Sequence, residues 1–212
     1  MAENSPSWPA LKRNLVAILR GVTPAEVEEI GETLAAAGFE AIEVPLNSPD
    51  PLVSIERLRK HLPETVIVGA GTVLQASQVD TVRNAGGSLV VSPNCDREVI
   101  ARTAELGMLS LPGVFTASEA FAALKAGASA LKIFPANVLG PSGIKALRAV
   151  LPEACVIAAV GGVSDGDFAD YVAAGARAFG LGSSLYSPGF TVEEVGRRAR
   201  AAVAAYDLAA GN

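Results

Sequence analysis

Alanine-rich stretches with helical spacing alternate along the chain with short apolar runs, and a glycine separates many of them. Ala37-Gly38 precedes Ala41-Ile42-Glu43-Val44, and Ala85-Gly86 precedes Leu89-Val90-Val91. Leu106-Gly107 leads to Met108-Leu109-Ser110-Leu111, Ala126-Gly127 to Ala130 through Phe134, and Ala174-Gly175 to Ala178-Phe179-Gly180-Leu181. A glycine after a helix accepts the left-handed backbone that ends it, so each unit reads as helix, turn, buried strand. Filling the gaps predicts eight strands, at 15–20, 40–45, 66–71, 88–92, 108–112, 130–134, 156–161 and 178–182. Thr23-Pro24 ahead of Glu26, Asp165 after the seventh strand and Thr191 ahead of Glu193-Glu194 provide helix starts.

Alternating strands and helices imply a parallel sheet. Eight units predict an α/β fold, a single (β/α)8 TIM barrel with parallel strands. The open doubly wound sheet is the alternative, weakened because no G-x-G-x-x-G follows the first strand. One domain is expected over 1–212, with 1–10 as an N-terminal extension.

Composition narrows the function classes. Half the residues are hydrophobic, at 50%, yet no apolar stretch reaches the roughly 18 residues of a membrane span. The polar, proline-containing start does not resemble a secretory signal, so a cytoplasmic protein is expected, with no membrane partner. Net charge is −5. The only basic cluster, Arg197-Arg198 with Arg200, reads as a solvated helix face, and no nucleic-acid partner is expected. Cys95 and Cys155 lack metal-ligand spacing and form no disulfide framework. Cys155 reads as a small core residue and Cys95 as a loop residue. The single histidine, His61, cannot supply a histidine-rich zinc site and reads as a cation at a helix C-terminus.

Against this background the charges inside the strands stand out. Lys132 interrupts Ala130-Leu131-Lys132-Ile133-Phe134-Pro135, Glu43 interrupts strand two, Arg20 closes strand one and Thr72 follows Gly69-Ala70-Gly71. Alternate strand positions share a face, so apolar flanks can pack on helices while each polar group faces the lumen. Barrel enzymes place chemistry where strands end. A desolvated lysine becomes neutral and nucleophilic, able to form a Schiff base with a ketone. A partly buried carboxylate can move the protons that such a reaction needs. Arg20 offers a planar fork for a carboxylate. Gly161-Gly162 and Gly182-Ser183-Ser184 end strands seven and eight, where barrels often bind phosphate through backbone N–H groups. A metal-free phosphosugar isomerase and a non-catalytic phosphosugar-binding barrel are the competing readings.

From Leu15 to Tyr206 the chain resembles the class I 2-dehydro-3-deoxy-phosphogluconate and phosphogalactonate aldolases. The matching pieces are Ala17-Ile18-Leu19-Arg20-Gly21, Glu43-Val44-Pro45-Leu46-Asn47-Ser48, Gly69-Ala70-Gly71-Thr72-Val73, Leu131-Lys132-Ile133-Phe134-Pro135 and Val160-Gly161-Gly162-Val163. The resemblance implies Lys132 as imine-forming lysine and Glu43 as general acid/base. It implies a substrate site of Arg20, Thr72, Phe134, Val160, Gly161, Gly162, Gly182 and Ser183, with Arg20 and Thr72 on the pyruvyl end and the glycines and serine near the phosphate. It further implies a homotrimer acting on a phosphorylated keto-deoxy sugar acid and yielding pyruvate, with no metal and no organic cofactor. Phosphogluconate members usually carry arginine four residues after the glutamate and threonine before the glycine pair. Asn47 and Val160 stand there instead, which resembles the phosphogalactonate branch. The two substrates differ only at C4, so phosphogluconate remains the alternative.

Overall fold

The computed structural model describes residues 5–211. Its strands are β1 (Leu15–Ile18), β2 (Ala41–Pro45), β3 (Ile67–Gly71), β4 (Leu89–Val91), β5 (Leu109–Leu111), β6 (Gly113–Val114), β7 (Leu131–Ile133), β8 (Ile157–Val160) and β9 (Ala178–Leu181). The helices are α1 (Val27–Ala37), α2 (Pro51–His61), α3 (Ala76–Asn84), α4 (Arg97–Glu105), α5 (Ala117–Ala126), α6 (Ala136–Arg148), α7 (Phe168–Ala173) and α8 (Val192–Ala210). No helix among the described residues is long and apolar enough to cross a membrane.

All pairings are parallel, in the order β5-β4-β3-β2-β1-β9-β8-β7-β6. The strand expected over 108–112 is observed as β5, which stops at Leu111 because Pro112 has no N–H to donate to a ladder, and a further short strand, β6, follows at Gly113. The strand bends there: β5 pairs with β4 and β6 with β7. The seam is still bridged, since Ala130 N–H donates to Ser110 O at 3.3 Å and Lys132 N–H to Pro112 O at 2.9 Å. The sheet thus closes into the expected (β/α)8 barrel.

Closure gives each strand two buried faces, which is why the strands read as nearly unbroken apolar runs. One face, including Leu15, Ile42, Val68, Leu131, Ile133 and Ile157, packs against the helices. The other lines the lumen with Val16, Ile18, Leu89, Val91, Leu111 and small alanines. Trp8 and Leu11 pack against this inner set, and Trp8 Nε1–H donates to Asn14 Oδ1 at 2.8 Å. Part of the N-terminal extension therefore contributes to the barrel interior; residues 1–4 lie outside the described range.

Two expected starts shift. Helix α1 begins at Val27, one turn after Thr23, because Glu26 folds back and accepts from Thr23 N–H at 2.9 Å. Asp165 opens a single 3-10 turn, Asp165–Asp167, ahead of α7. Thr191 caps α8 as expected, accepting from Glu194 N–H at 3.2 Å.

Candidate active site

Glu43 sits centrally in β2 and Lys132 centrally in β7. Their neighbours Ile42, Val44, Leu131 and Ile133 are fully buried in the strand–helix layer, so alternation turns the carboxylate and the ammonium into the lumen. There they are only 2% and 7% exposed. A third strand makes the seat: a Cβ at Gly71 would overlap the Glu43 carboxylate. Glycine at 71 is thus the residue that lets a long acid fit between strands. Glu43 Oε2 is buried and takes no hydrogen bond among the described residues, leaving an acceptor for a substrate or water proton. Lys132 Nζ lies 4.6 Å from the centre of the Phe134 ring, a cation–π distance.

Burial moves both groups toward neutrality. It raises the Glu43 carboxyl to about 7, against the attraction of Lys132 and Arg20. It lowers the Lys132 amine to about 8, opposed by Glu43 and assisted by the positive charge of Arg20. Desolvation is the larger influence at each, so a reactive fraction of neutral amine and a proton-exchanging carboxyl coexist near physiological pH.

The Glu43 shift makes a stability prediction. A carboxyl raised on folding contributes stability below its unfolded value of 4.5, and that contribution is lost as pH rises through about 7. Glu43→Gln removes this titration. The melting temperature of the variant relative to the parent is expected to increase between pH 5 and pH 8. A difference independent of pH, or one that falls, contradicts the burial argument.

β1 ends at Ile18, so Arg20 lies in the turn beyond the strand rather than within it. The next loop holds that turn at two points. Asn47 Oδ1 accepts from Arg20 Nη1 at 2.6 Å, and Ser48 Oγ accepts from Gly21 N–H at 2.9 Å. Arg20 Nη2 also approaches Thr72 Oγ1 at 3.4 Å. Thr72 itself is in the left-handed region, with φ 56°, a conformation uncommon for a β-branched residue and one that merits attention at a site.

On the neighbouring part of the rim, after β8, Gly161 and Gly162 adopt φ of 94° and 65°, and side chains there would meet Phe134 and Asn137. The turn after β9 is drawn into one helical loop by Leu185 N–H and Tyr186 N–H, which both donate to Gly182 O. Among the described residues, no protein acceptor takes the N–H of Gly162, Ser183 or Ser184. Two consecutive free donors in such a turn suit an anion.

Arg20, Glu43, Thr72, Lys132, Phe134, Val160, Gly161, Gly162, Gly182 and Ser183 all line one cleft of about 380 Å³ over the strand C-terminal ends. Ser184, read with Gly182 and Ser183 as part of the strand-eight turn, lines it too, as do Pro93 and Ser164, which carry no sequence signal of their own. Asn47, read only as a branch marker, is also Arg20's hydrogen-bond partner. His61 is elsewhere, ending α2 with Nε2 2.7 Å from Glu32 Oε1. Cys155 is buried in the core, and Cys95 lies in a loop with its thiol near Glu119 O at 3.4 Å.

One lumen thus holds a desolvated amine, a desolvated carboxyl, an arginine fork and a rim with free N–H donors, the groups that a Schiff-base reaction on a keto acid needs. The family model "Aldolase: KDPG and KHG aldolase" matches residues 10–201. The chain belongs to this aldolase family and is a carbon–carbon lyase. It is 56% identical over 203 residues, 96% of each chain, to a probable 2-dehydro-3-deoxy-6-phosphogalactonate aldolase of Rhizobium meliloti (strain 1021). The 2-dehydro-3-deoxy-6-phosphogalactonate aldolase of Escherichia coli (strain K12) is 47% identical, covering 92% of this chain and 95% of that one. A solved native KDPGal structure superposes with a TM-score of 0.95 at 45% identity, covering 98% of this chain and 100% of the other.

Proposed function

We propose that the protein reversibly cleaves 2-dehydro-3-deoxy-6-phospho-D-galactonate to pyruvate and D-glyceraldehyde 3-phosphate through a Schiff base on Lys132. The observation that carries this reading is the burial of Lys132 and Glu43 in one lumen, with the amine lowered and the carboxyl raised. The relatives' substrate supports the phosphogalactonate assignment.

The neutral Lys132 amine attacks the C2 ketone, giving a carbinolamine. Loss of water gives an iminium, which draws electrons from C3. Glu43, through an intervening water, takes the C4 hydroxyl proton as the C3–C4 bond breaks. The bonding pair moves to the iminium, leaving an enamine and releasing glyceraldehyde 3-phosphate. Protonation at C3 and hydrolysis then return pyruvate and the free amine. Arg20, held by Asn47, grips the substrate carboxylate with Thr72. Phe134 and Val160 flank the carbon skeleton, and the N–H groups of Gly162 and Ser183, with the Gly161 and Gly182 turns, receive the phosphate. The reading extends to a homotrimer acting in the cytoplasm without a metal or organic cofactor.

The test is pyruvate release from each purified C4 epimer under one set of conditions. A galacto preference of about tenfold or more is expected, given what one hydrogen bond to a substrate hydroxyl can discriminate. A gluco preference, or equal rates, overturns the epimer assignment that Asn47 and Val160 support.

A further inference from the structure

Arg198 stands behind the turn whose front faces the cleft. It belongs to α8, outside the lumen. Its Nη1 donates to Ser184 O at 3.1 Å, and its Nε donates to Glu194 Oε1 at 2.7 Å. The guanidinium lies over the Phe190 ring, 4.7 Å from its centre. Glu194 also takes two bonds from Arg197, and these neighbours hold its carboxyl down to about 2. The Arg198 fork is therefore fixed by a carboxylate that stays ionised, by an aromatic face and by one backbone carbonyl.

That carbonyl belongs to a residue which joins two turns. Ser184 Oγ donates to Val163 O at 3.2 Å, tying the β9 turn to the Gly161–Ser164 turn after β8. Ser184 also lines the cleft, as do Gly162 and Ser183 with their free N–H groups. Its carbonyl bond fixes the Ser184–Leu185 peptide, whose N–H closes the turn onto Gly182 O, and its hydroxyl bond anchors the residue itself. The preceding peptides, which carry the Ser183 and Ser184 N–H groups, therefore have little freedom to turn. Donors aimed in advance bind an anion without reorganising, which is where such a site gains its strength.

We propose that Arg198 is a positioning residue for the anion-binding rim: it orients the Gly182–Ser184 turn so that its N–H groups meet the substrate phosphate. This rests on the reading of the rim as the phosphate subsite. Arg198 does not line the cleft itself. Arg197, whose side chain is 64% exposed and bonds Glu194, makes no such carbonyl contact among the described residues and serves as the matched control.

The experiment compares Arg198→Ala, Arg198→Lys and Arg197→Ala for pyruvate release from 2-dehydro-3-deoxy-6-phosphogalactonate and from its unphosphorylated counterpart. Arg198→Ala is expected to raise KM for the phosphorylated substrate by about tenfold, the usual consequence of losing a charge-assisted hydrogen bond. Its kinetics on the unphosphorylated compound should remain those of the parent. Arg198→Lys should recover part of the loss, since an ammonium can reach the carbonyl but cannot reproduce the stacked fork, and Arg197→Ala should match the parent. Equal losses on both substrates, or an unchanged KM for the phosphorylated one, overturn the positioning role. If the parent protein itself fails to distinguish the two substrates, the phosphate reading of the rim falls, and this proposal falls with it.

Discussion

Lys132→Ala is expected to abolish turnover, with kcat/KM reduced by roughly 10⁴ or more, because the whole covalent route is lost with the amine. The variant should fold. Lys132 lines an open cleft and is 7% exposed, so the deleted side chain leaves space that water can enter. Removing its charge also takes away one of the two cations that hold Glu43 down, so the carboxyl moves further up and stays neutral. A parent-like melt without pyruvate release is the expected pair of results. In the parent, kcat/KM should rise with pH through about 8 as Lys132 loses its proton. Substantial pyruvate release by the alanine variant would refute the imine.

Glu43→Gln carries the second large effect. The amide keeps the length and shape of the acid in the seat opened by Gly71, yet cannot exchange a proton. General acid–base groups supply about 10²–10⁴-fold, and the loss should appear in kcat, because Glu43 is assigned to moving protons and not to holding the substrate. The variant should still react with pyruvate, more slowly, since the lysine remains. An undiminished kcat removes Glu43 from the proton path. A raised KM with normal kcat would instead make it a binding group.

The most legible part of the chemistry was the charge that breaks an apolar run. Lys132 and Glu43 announce themselves because few strands tolerate an ion between residues as apolar as Leu131, Ile133, Ile42 and Val44. Glycines 38, 86, 107, 127 and 175 were equally readable, since each sits at a helix end and all have positive φ. Other features depend on contacts that no local pattern records. Gly71 matters because a neighbouring strand brings Glu43 beside it, and glycine in a strand looks the same whether it makes a bulge or a seat. The Ser184–Arg198 bond joins a loop to a helix whose arginines read as solvent-facing. Trp8 lies in a polar-looking lead segment, and only the closed barrel shows the apolar interior that it covers. Pro112 was visible, but the short strand beyond it, β6, follows from a different pairing partner on that side.

Reductive trapping reaches the central claim most directly. The folded protein would be incubated with pyruvate and borohydride, digested, and its peptides mapped by mass spectrometry. A pyruvate-derived adduct on the peptide carrying Lys132, absent from Lys132→Ala, is the predicted result. No adduct in the active parent, or an adduct on any other lysine, would contradict the mechanism.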